Sequence, residues 1–324
     1  MPERLPGRWR RGPEVQAPAR RDDAGPSGRG GVLVVDKPAG PTSHDIVAVA
    51  RRRFGGAKVG HTGTLDPFAT GALPLVIGRA TRLARYLSSA EKEYDAVIRL
   101  GIATDTQDIT GAVVFEAPGG AAPPAPDVVA AALAGYRGTW MQTPPAYSAK
   151  LTGGVRSYDR ARRGAPIDLA PVEVTVSALD LLSLEGPIVR IRVVASAGFY
   201  VRALAHDLGM RLGTGATLQG LRRLRCGSFG LSDAVTLDTL ADPGSDPRVL
   251  PLEALLTEWP AARLTEEGSG WVSHGRPVGP AQCAGVPPEL PAGCQVRLLA
   301  PGGCLLAVGE AGAGGVLHPV VVLM

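Results

Sequence analysis

The chain opens its ordered pattern with an apolar run, GVLVV at 31–35, stopped by charged and turn-forming residues through Gly40. This predicts a buried strand and then a turn. TSHDIVAVARRRFGG follows, and its spacing predicts a helix, with Ser43 as N-cap, Asp45 in the first turn, Arg51 to Arg53 in the last, and Gly55 ending it. RATRLARYL also reads as helical, with Arg79, Arg82 and Arg85 on one face. KEYDAVIRLGI changes period: Tyr94, Ala96, Ile98 and Leu100 fall on one side of a strand.

The second half continues the mixture. APGGAAPPAPD at 117–127 is a low-complexity connection that ends where Asp127 caps the helix VVAAALAGY. PVEVTVSALDLLSL and IVRIRVVASAG predict two strands around Glu185-Gly186-Pro187. FYVRALAHDLGMRLG predicts a helix ended by Gly213. Polar composition near Asp242 to Pro247 marks a boundary, and the short runs CQVRLLA, CLLAVGEA and LHPVVVL predict a small β-rich unit beyond it. No internal repeat interrupts this order.

A length of 324 residues accommodates two domains. Residues 1–30 are basic, rich in Pro and Gly, and lack the apolar core of a secretory signal, so they read as a disordered tail. No apolar run approaches the ~20 residues of a membrane span, and a cytoplasmic protein is expected. Cys226, Cys283, Cys294 and Cys304 form no metal-binding spacing with one another or with the five histidines. No metal is expected, and the cysteines read as small core residues.

The net charge of +4 conceals an asymmetry: residues 251–324 carry six Glu against Arg263, Arg276 and Arg297, a net of −3, which leaves +7 on residues 1–250. The arginines group as Arg79, Arg82 and Arg85; Arg156, Arg160, Arg162 and Arg163; and Arg222, Arg223 and Arg225. Each cluster alone reads as a solvated helix face. Interleaved with Tyr86, Tyr94, Tyr147, Tyr158 and Tyr200, they suit RNA, whose phosphates attract arginine and whose bases stack on aromatic rings.

One stretch stands apart. GHTGTLDPFATGALPLVIGRAT, residues 60–81, holds a single acid, Asp66, among small residues and directly before Pro67. Asp-Pro is a common turn opening. Read with DKPAGPTSHDIV, EKEYDAVIRLG, QTPPAYSA, GFYVRALAHDLG and LRRLRCGSF, all in order, the stretch resembles the TruB family, tRNA pseudouridine synthases that modify uridine 55 of the T loop. The similarity runs from about residue 31 to 230 and is weaker over the tail.

That resemblance implies an α/β (α+β) fold: a mixed, largely antiparallel sheet forming a pseudouridine synthase catalytic domain over 31–250, and a PUA-like RNA-binding domain over 251–324. It implies Asp66 as the essential aspartate, Tyr94 stacking on the target base and helping remove its C5 proton, and Arg202 pairing with the aspartate. It further implies substrate-side roles for His61, Tyr200, Lys37 and Leu221. The partner is the T stem-loop of tRNA, the chain acts as a monomer, and no cofactor is needed, because the isomerisation involves no redox step. The point at which Asp66 attacks, at C1′, at C6 or through a glycal, stays open.

There are departures. Lys150 stands directly after YSA, one position earlier than the family's usual lysine, and Leu151 takes that place. The acidic balance of the C-terminal region weakens any phosphate grip there. Two other readings compete. TGTLD is similar to phosphohydrolase loops, but the position before Thr-Gly-Thr that would hold their nucleophile is occupied by Gly60-His61. A non-catalytic RNA-binding protein would use the same basic surface.

Overall fold

The computed structural model describes residues 30–118, 123–147, 151–152, 155–156, 169–285 and 290–324. Its centre is one large sheet in the order Ala234–Thr236, Gly30–Lys37, Thr70–Gly78, Ala216–Cys226, Lys92–Leu100, Ile188–Ala195, Val172–Glu185, Gly138–Gln142. Gly30–Lys37 runs parallel to Ala234–Thr236, and Thr70–Gly78 runs parallel to Ala216–Cys226. Every other neighbouring pair along that order is antiparallel.

The sheet is covered on both faces at its centre, which explains the apolar runs there. Leu33, Val35, Leu73, Leu75 and Ile77 face one core, which helices Ser43–Arg53, Pro126–Ala134 and Val201–Leu212 close with Ile46, Ala50, Val129, Leu204 and Leu208. Val32, Val34, Ala72 and Val76 face a second core completed by Leu252, Leu255, Leu305 and Val308. Towards the far edge only one face is covered, and Tyr94, Ala96, Ile98 and Leu100 alternate inward as expected.

A smaller five-stranded sheet, in the order Cys283–Gly285, Ala261–Leu264, Gln295–Leu299, Leu305–Ala311, Leu317–Val322, forms the β-rich C-terminal unit. It encloses its own core of Leu264, Val272, Val296, Leu298 and Leu317. Helix Glu266–Ser273, capped by Thr265, lies among these strands and had no signal in the apolar pattern.

Three local expectations change. The first helix is capped by Thr42 in a reciprocal box with Asp45, while Ser43 is buried and turned to another use. The third begins at Pro126 after an uncapping Ala125, because proline at the first position already fixes the helical φ, and Asp127 falls in the first turn. The segment 79–88 is a 3-10 turn followed by a short α-helix, so its three arginines do not share one continuous helical face.

Thr70–Gly78 carries Pro74 inside a central strand. Proline is tolerated because the two neighbours on that side leave a gap between the Gly71–Arg223 and Leu75–His61 pairings, and the Pro74 carbonyl still accepts from Thr62 N at 3.1 Å. Gly71 is the tighter requirement. Its φ is +106° and an added Cβ would lie 2.1 Å from the Arg223 carbonyl oxygen. Gly71→Ala combines a left-handed strain with a backbone clash and should cost on the order of 3 kcal/mol. Thermal unfolding followed by circular dichroism checks this, and a melting point matching the parent protein would contradict it.

Candidate active site

Asp66 lies in the segment between strands Val59–His61 and Thr70–Gly78. The Asp-Pro turn forms, closed by Ala69 N donating to the Asp66 carbonyl at 3.1 Å. Three neighbours fix it. Ser43 Oγ donates to the Leu65 carbonyl at 3.0 Å and accepts from Leu65 N at 2.9 Å. Gly40 N donates to the Pro67 carbonyl at 2.8 Å. Lys37, fully buried, directs its ammonium to the carbonyls of Pro38, Pro67 and Ala69 at 3.0, 3.1 and 2.7 Å. Burial pushes the Lys37 ammonium down to about 8, against the pull of the Asp66 charge.

Lys37, to which the resemblance gives a substrate-side role, has its ammonium turned to the backbone of the site. An ammonium has three N–H donors, and all three are engaged by backbone, two of them by the turn directly after Asp66. Its role is to hold the turn.

Arg202 reaches the same carboxylate from the first turn of helix Val201–Leu212. Its Nε lies 3.1 Å from Asp66 Oδ2, and its Nη2 donates to Oδ1 at 3.4 Å. A cation near a helix N-terminus opposes the helix dipole, and two carboxylates offset that cost. The second is Asp108, whose Oδ2 is 3.4 Å from Arg202 Nη1. The guanidinium also donates to the carbonyls of Thr106 at 3.0 Å and Tyr147 at 2.7 Å. Its direction is thus fixed by four partners from three segments of chain.

Asp108 carried no sequence signal. It is buried in the tight loop DTQDITG, accepting from the Thr110 backbone at 3.0 Å and from the hydroxyls of Thr106 and Thr110. Acid in a Thr-rich turn is ordinary, and nothing in the spacing connects it to an arginine 94 positions away.

Burial raises the Asp66 carboxyl above the ordinary carboxylate range; Arg202 and Lys37 oppose this, and Asp108 adds to it by like-charge repulsion. A raised value means that ionised Asp66 is lost as pH falls through a higher range than for a free aspartate. Asp108→Asn removes the repulsion and leaves Arg202 to Asp66 alone. The acid limb of a rate that needs ionised Asp66 should then move to lower pH, checked by single-turnover rates between pH 5 and 8. A limb that moves to higher pH would refute this electrostatic picture.

Tyr94 comes from the strand Lys92–Leu100, with its ring almost buried. Burial raises its hydroxyl above the ordinary phenol range, and Arg223 opposes that rise. Asp66, Tyr94, Arg202, Tyr200, Leu221 and Phe199 line one cleft. Tyr200 is held there by Gln142, which accepts from its N at 2.8 Å and donates to its carbonyl at 3.0 Å. Leu221 closes the apolar side, where the strand Ala216–Cys226 passes through two bulges. His61 is not part of this lining. It is half-buried beside His44, ring centroids 5.6 Å apart and edge to face, and its Nδ1 accepts from Gly63 N at 3.3 Å.

The basic clusters differ most from expectation. Arg222 forms a two-pronged pair with Asp36 at 3.1 and 2.8 Å, Arg225 pairs with Glu93 at 3.2 Å, and Arg223 is buried. Arg82 binds the Val322 carbonyl at 2.6 Å and Arg85 lies over the Tyr86 ring, which meets Trp259 edge to face. Arg82, Arg222 and Arg225 are thus each engaged by another part of the fold, while Arg85 stays exposed on its own neighbour. Tyr158, Arg160, Arg162, Arg163 and Lys150 lie outside the described residues, as does the side chain of Arg156. Among the described residues no group of three or more His, Cys, Asp or Glu is placed to hold a metal ion, and no helix is long and apolar enough to cross a membrane.

Residues 51–201 match the TruB family pseudouridylate synthase N-terminal domain, and residues 202–257 match the tRNA pseudouridylate synthase B C-terminal domain. A tRNA pseudouridine synthase B from Solibacter usitatus is 42% identical over 90% of this chain and 99% of its own length. One from Mycobacterium sp. (strain KMS) is 43% identical over 87% and 93%. Among solved structures, a Cbf5-Nop10-Gar1 complex aligns with a TM-score of 0.72 at 26% identity, covering 91% of this chain and 85% of that one. An H/ACA ribonucleoprotein bound to a substrate RNA containing 2′-deoxyuridine aligns with a TM-score of 0.70 at the same identity and coverage. A cleft with one carboxylate held by an arginine beside a buried tyrosine, on a mixed sheet of this order, thus occurs in a chain that belongs to the TruB family of pseudouridine synthases.

Proposed function

We propose that this chain isomerises uridine 55 in the T loop of tRNA to pseudouridine, with Asp66 as the nucleophile acting on a flipped-out base. The observation that carries this reading is the Asp66–Arg202 pair at 3.1 Å, set in a cleft that also contains the Tyr94 ring. The N1–C1′ bond breaks, C5 bonds to C1′, the C5 proton leaves and N1 gains a proton. Arg202 keeps enough of Asp66 ionised to react in a site whose burial opposes its charge.

Flipping the uridine out of its stack costs a few kcal/mol, and stacking on Tyr94 recovers about 1–3 kcal/mol of that. The apolar cleft wall at Phe199 and Leu221 keeps the detached base from solvent while it turns over. In this reading the chain works as a monomer in the cytoplasm and without a cofactor. The division into a tail at 1–30, a catalytic domain at 31–250 and a PUA-like domain at 251–324 belongs to the same proposal. It is supported by Leu250–Pro251, the last strand to join the large sheet.

The test is a T-arm hairpin. It should be converted nearly as well as whole tRNA, because the arm contains the base and the loop around it. Binding should weaken with salt, with a slope of roughly −0.7 to −0.9 per neutralised phosphate. Conversion of whole tRNA but never of the isolated arm would overturn the T-arm reading, and salt-independent binding would overturn its electrostatic part.

A further inference from the structure

Behind the cleft lies a buried charged residue that the chemistry above leaves unused. Arg223 is 1% exposed. Its Nε donates to the Ala72 carbonyl at 2.7 Å and its Nη2 to the Gly63 carbonyl at 3.1 Å. It is the cross-strand partner of Tyr94, so the two side chains project from adjacent strands on the same face of the sheet. Its positive charge acts on the Tyr94 hydroxyl and opposes the rise that burial imposes on it.

The surroundings are built to place this group. Gly71 lets the Arg223 backbone approach closely enough to pair with Thr70–Gly78. Gly63 leaves room for Nη1, which a Cβ there would meet at 3.4 Å. Lys92, on the strand that carries Tyr94, spends its ammonium on the carbonyls of Ser88 and Ala90 at 2.6 and 2.7 Å, and Arg222 and Arg225 are paired with Asp36 and Glu93. Cys226, fully buried, is 3.7 Å from the Thr62 hydroxyl. Arg223 is thus the cation that stands directly across the strand pair from Tyr94 and whose charge acts on its hydroxyl.

We propose that Arg223 is a positioning residue for Tyr94: it fixes the hydroxyl at the cleft and supplies the positive charge against which that oxygen takes the C5 proton. The inference rests on the reading of Tyr94 as the group that removes this proton. In the step, the Tyr94 hydroxyl first gives its own proton to solvent; the phenolate oxygen, held against Arg223, then accepts the proton from C5, and the C5–H electron pair restores the C5=C6 double bond. N1, released from C1′, takes its proton from solvent. A buried phenolate without a cation beside it would be strongly disfavoured. Arginine suits the task because its planar fork can hold two backbone carbonyls while one N–H faces the phenol.

The experiment compares three T-arm hairpins: uridine, C5-deuterated uridine, and 5-fluorouridine, in which fluorine replaces the proton to be removed. Wild-type protein, Arg223→Lys and Arg223→Gln are measured in single turnover. For both variants, uridine conversion should fall roughly 10- to 100-fold, more for glutamine than for lysine, with the deuterium isotope effect growing. Hairpin binding should stay within about twofold. Consumption of the 5-fluorouridine hairpin should remain close to the wild-type rate, since N1–C1′ cleavage needs no C5 deprotonation. Parallel loss of binding and of both conversions in both variants would make Arg223 a structural residue and overturn the assignment, as would an unchanged uridine rate. If wild-type protein converts none of the hairpins, the functional reading itself fails, which separates the two failures.

Discussion

Asp66→Asn should stop pseudouridine formation in a protein that still folds and still binds the T arm. Asparagine nearly matches aspartate in size but has no charge and little nucleophilicity, so the loss should be on the order of 10⁴-fold or more in single turnover. Folding should survive because Asp66 keeps a third of its side chain exposed and because Arg202 retains Asp108, Thr106 and Tyr147 as partners. The raised Asp66 carboxyl indicates a site that opposes its negative charge. The neutral variant should consequently melt at the same temperature as the parent or slightly above it, the usual exchange of stability for activity at a catalytic group. Removing a negative charge near phosphate should also tighten binding slightly. A variant that forms pseudouridine at the parental rate would return Asp66 to the role of a turn residue.

Arg202→Lys has the next largest expected effect. The guanidinium spans two carboxylates and two carbonyls with a rigid fork, whereas lysine offers one point of charge on a flexible stem. Charge balance is preserved, so the helix and its buried neighbour Asp108 remain compensated and most of the stability is kept. The direction of the Asp66 carboxylate is lost. A misplacement of about 1 Å at a reacting group costs roughly 10²-fold in rate, and that loss should appear in kcat with little change in binding. Rates near the parental value would remove Arg202 from the chemistry and leave it as a structural cation.

How much of this was legible in the sequence depended on how local the cause was. The strand holding Tyr94 and the hairpin around Glu185-Gly186-Pro187 declare themselves through alternation, because each faces the core on one side only. The helix carrying Arg202 ends at Gly213 as its left-handed φ of 69° requires. Thr70–Gly78 and Ala216–Cys226 were not legible: one is buried on both faces and contains Pro74, and the other is bulged and rich in arginine. The arginines of Ala216–Cys226 resemble a surface cluster until the sheet brings Asp36, Glu93 and Tyr94 beside them.

The site divides along the same line. Asp66, Tyr94 and Arg202 were marked by motif, and the cleft unites them with Tyr200 and Leu221. Their supports were not marked. Ser43 looked like a helix cap but binds the Leu65 backbone, and the hold of Lys37 on the turn after Asp66 had no signal in the sequence. Asp108 becomes meaningful only through an ion pair that spans 94 positions. Long-range partners of this kind arise from topology, and composition or periodicity along the chain contains no trace of them.

The most direct test of the central claim is release of tritium from C5-labelled uridine in a T-arm hairpin, measured with purified protein and with no added metal or nucleotide. The account predicts release by the parent protein, with pseudouridine at the position corresponding to uridine 55, and no release above background by Asp66→Asn at saturating binding. Tight binding of the hairpin by both proteins with release by neither would contradict it and would leave a protein that holds RNA without changing it.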